Sequence, residues 1–328
     1  MNKSKVLTIL LGVCLVALGA ASLFLFGGSF IKSYADAHMY QTGDTTLEGK
    51  VENLEIDWTD GRVTVAYHAG DTVTIAETSR KPISEDLRVR WWLDGTTLRI
   101  RYARSGARML FQNLDKELTV TLPEGTRLKT VSVNGTSADL ELPGLSAEEA
   151  RLETTSGNIR TEAAVRKLTM ASTSGDVEGT VDGAEEISAA STSGSISLTQ
   201  TGEAKAVSLK TTSGGIGAVL ENAGSVTAES TSGNIGLEAK KAEKVKAAAT
   251  SGDVRLTLGA FSELEAGSTS GSVTAALPDR PGFSGEVKTT SGSVESALAM
   301  RKEGNTYSCG DGSARVNIHT TSGNVTLK

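Results

Sequence analysis

The chain has 328 residues and a formal net charge of -6, from 33 Lys and Arg against 39 Asp and Glu. That balance, with no basic stripe, excludes the phosphate-gripping surface that nucleic-acid binding needs. Aromatic residues make up only 4% of the chain while glycine counts 36, which excludes a thick globular core and favours a thin, repetitive one of Val, Ile, Leu and Ala.

The first element in chain order is the uncharged run Val6 to Ile31, "VLTILLGVCLVALGAASLFLFGGSFI". As a helix its 26 residues would extend about 39 Å, enough to cross a hydrocarbon core of about 30 Å with some tilt. Lys3 and Lys5 favour a cytoplasmic start, so residues 1–35 read as a cytoplasmic tail and transmembrane anchor with the rest of the chain outside the membrane. The alternative is a cleaved signal peptide followed by secretion, for which "ADA" at Ala35 to Ala37 supplies small residues, although the run exceeds the usual h-region. Cys14 reads as a small apolar residue of the run, because Val13 stands where a lipoprotein signal wants a small side chain. Its context differs so much from that of Cys309 that no intrachain disulfide is expected.

Residues 36–46 read as a linker and 47–135 as a β-rich cap. Within the cap, "VENLEIDWTDGRVTVAY" has the form of an early coil in which "TDG" forms the corner. Alternating segments follow, "DTVTIAE", "LRVRWWL", "TTLRIRY", "ELTVTLP" and "LKTVSV", with turns at Asp94-Gly95 and Pro123 to Gly125. Such a cap covers what would otherwise be an open sheet edge at the end of a rod.

From residue 136 to the end the triplet Thr-Ser-Gly recurs, its glycines at Gly157, Gly175, Gly194, Gly214, Gly233, Gly252, Gly271, Gly292 and Gly323. A catalytic serine is needed once, so nine copies indicate architecture. Spacings of 18, 19, 20, 19, 19, 19, 21 and 31 residues give a period near 19, the mark of a solenoid. "NGTSADLEL" supplies a degenerate unit with Ala138 in the glycine position. Aligned on the glycine, apolar residues alternate. Two after it stand Ile159, Val177, Ile196, Ile216, Ile235, Val254, Val273, Val294 and Val325, and seven before it the column holds Leu168, Ile187, Val207, Val226, Val245, Leu264 and Val316. The expected fold is therefore all-β, a parallel β-solenoid (β-helix) with coils of about 19 residues, stacked about 4.8 Å apart into a rod of roughly 45 to 50 Å. Its domain runs over 136–328, with a hairpin inserted near 298–316.

The corners are read as structural turns. Each glycine allows positive φ or close backbone approach. Each preceding serine, namely Ser156, Ser174, Ser193, Ser213, Ser232, Ser251, Ser270, Ser291 and Ser322, is expected to bond turn amides. Three before the glycine, Thr154, Ser172, Ser191, Thr211, Ser230, Ala249, Ser268, Thr289 and Thr320 are expected to face inward, where small size is what matters. Two before it, Thr155, Thr173, Thr192, Thr212, Thr231, Thr250, Thr269 and Thr290 point outward as a regular hydroxyl column and a candidate binding face, although threonine is also simply a good exposed strand residue.

The serial "TSGN", "TSGD" and "TSGS" turns, the segment "LTVTLPEG" and the ending "GNTYSCGDGSARVNIHTTSGNVTL" resemble the bacterial β-strand-repeat family DUF4097, often labelled "putative adhesin", over about Leu47 to Lys328. The resemblance implies a surface-exposed β-solenoid, commonly membrane-anchored, and carries no catalytic residues over. No catalytic residue, cofactor or metal is expected. The three histidines, His38, His68 and His319, offer no triad, and no G-x-S-x-G elbow occurs. Asp176 and Asp253 are too few in their column for a calcium array. The sequence is thus read as a non-enzymatic, single-pass envelope protein for adhesion or scaffolding. Its expected partners are the membrane and a cell-wall polymer, a host or surface glycan, or another envelope protein. The alternative is a ligand- or partner-binding ectodomain in envelope sensing or regulation.

Overall fold

The computed structural model describes residues 33–107, 114–278 and 282–328. The expected membrane helix lies outside these residues; among the described residues no helix is long and apolar enough to cross a membrane. Their fold is all-β, with two short 3₁₀ turns at Ala37–Met39 and Glu85–Leu87.

In chain order the N-terminal strands are β1 (Gln41–Thr42), β2 (Thr45–Leu47), β3 (Asn53–His68), β4 (Val73–Ser79), β5 (Arg90–Asp94), β6 (Thr97–Arg101) and β7 (Lys116–Pro123). The long central strands are β8 (Leu128–Thr154), β9 (Ile159–Ser172), β10 (Val177–Ser191), β11 (Ile196–Thr211), β12 (Ile216–Ser230), β13 (Ile235–Ala249) and β14 (Val254–Ser268). After them come β15 (Val273–Ala276), β16 (Phe283–Ser291), β17 (Val294–Ser296), β18 (Arg301–Glu303), β19 (Thr306–Cys309), β20 (Ala314–Ser322) and β21 (Val325–Leu327).

Strands β8 to β14 each pair in parallel with the next, one repeat further along the chain. Ile159 aligns with Val177, Val177 with Ile196, Ile196 with Ile216, Ile216 with Ile235 and Ile235 with Val254. A parallel β-solenoid fits this register. The aliphatic columns two after and seven before each corner are buried throughout this stretch, with Leu198, Leu237 and Leu256 extending the same interior face. No single coil could bury its apolar side alone, so stability comes from stacking.

Coils of unequal length fit because the slack is taken up at the return bend. Register shifts fall at Leu142/Leu145, Asp182/Ala184 and Gln200/Glu203. The longer coil places Gly202 at φ +69. Beneath it the buried Gln200 donates to the carbonyls of Thr201 (2.7 Å) and Gly202 (3.0 Å) and accepts from the Glu221 amide (3.2 Å). Part-buried backbone groups that the extra residue would leave unpaired are thus satisfied.

The N-terminal region is continuous with the rod. Strand β3 is a complete coil, paired in parallel with β8 from Asn53↔Thr130 to Thr64↔Glu141, and Thr59, Asp60 and Gly61 form its corner. On its other side lie β6 and β7, also parallel to it. Antiparallel strands close this end: β4 on β7, β5 on β6, β2 on β4 and β1 on β5. Residues 36–46, expected to form a linker, instead supply β1 and the start of β2, because both strands satisfy edge backbone groups of the cap.

At the far end the stacking departs from chain order. Strands β20 and β21, which carry the corner at Gly323, pair with β14 and β15 on one side and with β16 and β17 on the other. The last coil of the chain therefore lies between the coils of Gly271 and Gly292. Strands β18 and β19 form a hairpin whose second strand covers the outer edge of β16.

Candidate functional site

Each corner is built from a close approach between successive coils. A Cβ added at Gly157 would sit 1.8 Å from the Ala138 carbonyl oxygen, and one at Gly175 1.8 Å from that of Gly157. The same contact recurs up to Gly323, where it is 2.3 Å to Gly271. None of these corner glycines has positive φ. Glycine is therefore required for space between coils and not for left-handed backbone.

The hydroxyl that holds the corner is three residues before the glycine. Thr154 Oγ1 donates to the Ala138 carbonyl (3.0 Å) and accepts from the Gly157 amide (3.2 Å). Ser172 repeats this with Gly157 and Gly175 (3.0 and 2.9 Å), Ser191 with Gly175 and Gly194 (3.1 and 2.9 Å), and Thr211 and Ser230 continue the series. Each buried hydroxyl ties its own turn to the coil before it. The chain breaks this ladder at Ala249, which has no hydroxyl to offer Gly252.

A second ladder follows the glycine. Asp139, Asn158 and Asp176 each accept, through Oδ1, the amide one coil further on, at Asn158 (2.8 Å), Asp176 (2.9 Å) and Ser195 (2.8 Å). Asn234 and Asp253 do the same for Asp253 (2.8 Å) and Ser272 (3.0 Å). The carboxylates of Asp176 and Asp253 thus serve the backbone. Among the described residues no group of three or more His, Cys, Asp or Glu converges on a metal position.

The corner serines act differently from the expectation. Ser156, Ser174, Ser193, Ser213, Ser232, Ser251, Ser270, Ser291 and Ser322 are all exposed. Their amides bond the neighbouring coil, as Ser174 does to Thr155 at 2.9 Å. Their hydroxyls bond no described residue. The physical reason is that the side chain three before the glycine lies beneath the turn amide, whereas the serine occupies the outer apex. Beside the serines, the threonine column from Thr155 to Thr269 is half-buried to exposed, as is Thr290. The exposed serines and the threonines beside them share one face at the β-stacking interval, although the Thr212 Oγ1 atom is itself buried. Neither His38 nor His319 bonds a corner serine, and the His68 ring is engaged with the Thr72 carbonyl at 2.8 Å.

Two other features stand apart from this face. An open groove of about 880 Å3 runs along the return bends, lined by Arg166, Glu185, Glu203, Lys205 and Lys241 among others. Its charges are largely matched laterally: Arg166 pairs with Glu149 (2.6 Å) and Glu185 (3.5 Å), and Lys205 with Glu185 (2.8 Å). The hydrogen bond from Lys205 holds the Glu185 carboxyl below its usual range.

The second feature is a sealed polar cluster in the cap. Lys116 and Glu77 form an ion pair with both side chains at 0% exposure. Lys116 Nζ also donates to the carbonyls of Leu87 and Tyr102, each at 2.6 Å, and lies 4.0 Å from the Tyr102 ring centre. Glu77 accepts from the Val89 amide at 2.9 Å, and the Tyr102 hydroxyl bonds Asp60. Burial pushes the Lys116 ammonium below its ordinary pKa, with Glu77 opposing the shift. Burial, reinforced by Asp60, raises the Tyr102 phenol. The cluster is inaccessible to substrate and locks β4, β7 and the 87–102 segment together. Sequence reading missed it, yet the signal was present: Lys116 shares strand parity with Leu118, Val120 and Leu122, and Glu77 shares it with Val73 and Ile75, all buried.

No protein of curated function matches the chain. Among solved structures, a putative adhesin from Parabacteroides merdae ATCC 43184 is 11% identical, with 91% of this chain and 98% of that chain covered at a TM-score of 0.48. A putative adhesin from Parabacteroides distasonis ATCC 8503 is 16% identical, with coverage of 87% and 97% and a TM-score of 0.46. One from Bacteroides fragilis NCTC 9343 is 12% identical, with coverage of 91% and 100% and a TM-score of 0.33. The family model described as Toastrack DUF4097 matches residues 51–266 and 242–328, together more than half the sequence, and the chain belongs to that family.

Proposed function

We propose that the protein is a non-enzymatic, membrane-anchored envelope protein whose solenoid presents the Thr and Ser columns outside the cell to a repetitive polymer, a cell-wall or surface glycan. The observation that carries this reading is the division of labour at the corners. Buried hydroxyls three before each glycine do the structural bonding, while an unbroken series of exposed serine hydroxyls is left uncommitted. A polymer with hydroxyl or amide groups at a matching interval could bond several rungs at once, gaining by multivalency what each single contact lacks.

The test uses the full chain in lipid nanodiscs, exposed to immobilised wall polymer and to a panel of glycans. Replacing Ser193, Ser213 and Ser232 together by Ala should weaken binding by about tenfold or more, the loss expected for three net hydrogen bonds, without lowering the melting temperature. Equal binding by the triple variant, or binding only to a defined membrane protein, would turn the reading toward the sensory alternative. Hydrolysis of a polymer that disappears with Ser156→Ala would defeat the non-enzymatic reading.

A further inference from the structure

The cap carries a second surface that the hydroxyl face does not use. Strands β5 and β6 pair so that Arg90 lies directly opposite Arg101, and Trp92 opposite Arg99. Like charges in that position repel, and Arg88 adds a third guanidinium on the same side of β5 by strand parity. Glu55 and Asp57 pair with Arg99 and Arg101. Arg90 Nη2 donates to the Glu85 carbonyl at 2.8 Å but stands 3.9 Å from the Glu85 carboxylate. Arg88 has no acidic partner among the described residues. The Nε atoms of Arg88, Arg90, Arg99 and Arg101 are buried without a hydrogen-bond partner.

Aromatic rings lie against Arg99 and Arg101. Tyr34 packs on Tyr40 with centroids 4.9 Å apart, and Tyr40 on Trp92 at 5.8 Å. Arg101 stands 5.9 Å from both tyrosine rings, and Arg99 stands 5.8 Å from the Trp92 ring. The segment is fixed: the Tyr34 amide donates to Ser105 Oγ (3.0 Å) and its hydroxyl to the Ala103 carbonyl (3.1 Å). Beside Tyr40, Met39 is 45% exposed, one of the two exposed large apolar side chains among the described residues. The apolar run ends at Ile31, three residues before Tyr34.

From this placement we infer that the Arg88, Arg90 and Trp92 face, with Met39 and Tyr40, rests on the outer membrane leaflet and binds anionic phospholipid headgroups. Tyrosine and tryptophan rings suit the headgroup level, and arginine forks suit phosphate. The clamp at Tyr34 fixes the chain three residues after the apolar run, which would hold the cap close to the bilayer. The inference rests on the proposed anchor, and the experiment separates the two.

The full chain is placed in nanodiscs of phosphatidylcholine alone or mixed with phosphatidylglycerol, with lipids brominated near the headgroup. Tryptophan fluorescence should be quenched more in the mixed discs, and the quenching should vanish in Trp92→Phe because Trp58 and Trp91 are buried. Arg88→Gln should reduce the lipid-bound population about fivefold, the weight of one basic residue at an anionic surface. An incorporated chain with no quenching, or with quenching indifferent to phosphatidylglycerol and to Arg88→Gln, overturns the inference. A chain recovered outside the discs overturns the anchor instead. The same quenching, measured with that free chain and mixed vesicles, then supports the face if present and overturns it if absent.

Discussion

At the residue scale, the hydroxyl that matters is two positions from the one the triplet advertises. Ser172 bonds both its own turn and the coil before it, whereas the Ser174 hydroxyl bonds no described residue. Chemical denaturation should therefore show Ser172→Ala losing about 1–3 kcal/mol through unsatisfied buried groups, and Ser174→Ala changing stability by no more than about 0.5 kcal/mol. Ala249 offers the converse: Ala249→Ser restores the missing rung and should add about 0.5–1.5 kcal/mol. Equal losses for Ser172→Ala and Ser174→Ala would contradict the assignment. The sequence concealed this distinction because each column recurs at a constant distance from the glycine, three residues before it for one and one before it for the other. The unbroken column, Ser156 to Ser322, is the exposed one, while the bonded column tolerates Ala249. The need for glycine at the corners was legible; that the cause is a carbonyl 1.8 Å from a Cβ at Gly157 required the stacked coils.

At the scale of elements, the cap is held by the pair of Lys116 on β7 and Glu77 on β4. Removing one partner of such a buried pair leaves the other charge uncompensated, so Lys116→Met should cost about 3–5 kcal/mol. Adding Glu77→Leu should recover most of that loss, measured as a double-mutant cycle by urea unfolding. A double variant as unstable as Lys116→Met would show that the lysine acts mainly through its carbonyl contacts. Surface carboxylates set the acid response. Hydrogen bonds from Lys129 and Lys50 lower Glu52 from 4.5 to about 2. Glu221 is lowered by the Gly202 amide and then by Lys240. A carboxylate whose folded pKa lies below its unfolded value stabilises the fold above the unfolded value and loses that contribution as pH falls through the folded one. Melting temperature should accordingly fall between about pH 4.5 and about pH 2, and a rise there would contradict these pairings. The strands themselves were legible from alternation, as in "ELTVTLP"; the partnership of two charges on inward parity was not, because it depends on β4 and β7 being neighbours.

At the scale of the whole molecule, repeat spacing conveyed the rod and its register but not the order of its last coils. Val294 and Val325 fit the same interior column equally well, so nothing in the columns says which follows Val273; the pairing Val273↔Val325↔Val294 emerges only in three dimensions. The C-terminal coil is consequently an internal layer. Deleting 314–328 should strip β14 and β15 of a partner and leave β16 and β17 attached to nothing but the hairpin. Hydrogen exchange should then show lost protection over β16 and β17, with β9 to β12 unchanged. Retained protection there would mean that the two outer coils can close directly on each other.

The most direct test of the account as a whole is accessibility in living cells. Thr250 is an exposed position on the hydroxyl face, while the native cysteines lie in the apolar run (Cys14) and in a buried site (Cys309). A Thr250→Cys chain, treated with a maleimide that does not cross the cytoplasmic membrane, should label as fully in intact cells as after lysis and remain in the membrane fraction. Labelling that appears only after lysis would contradict an anchored rod presented outside the cell.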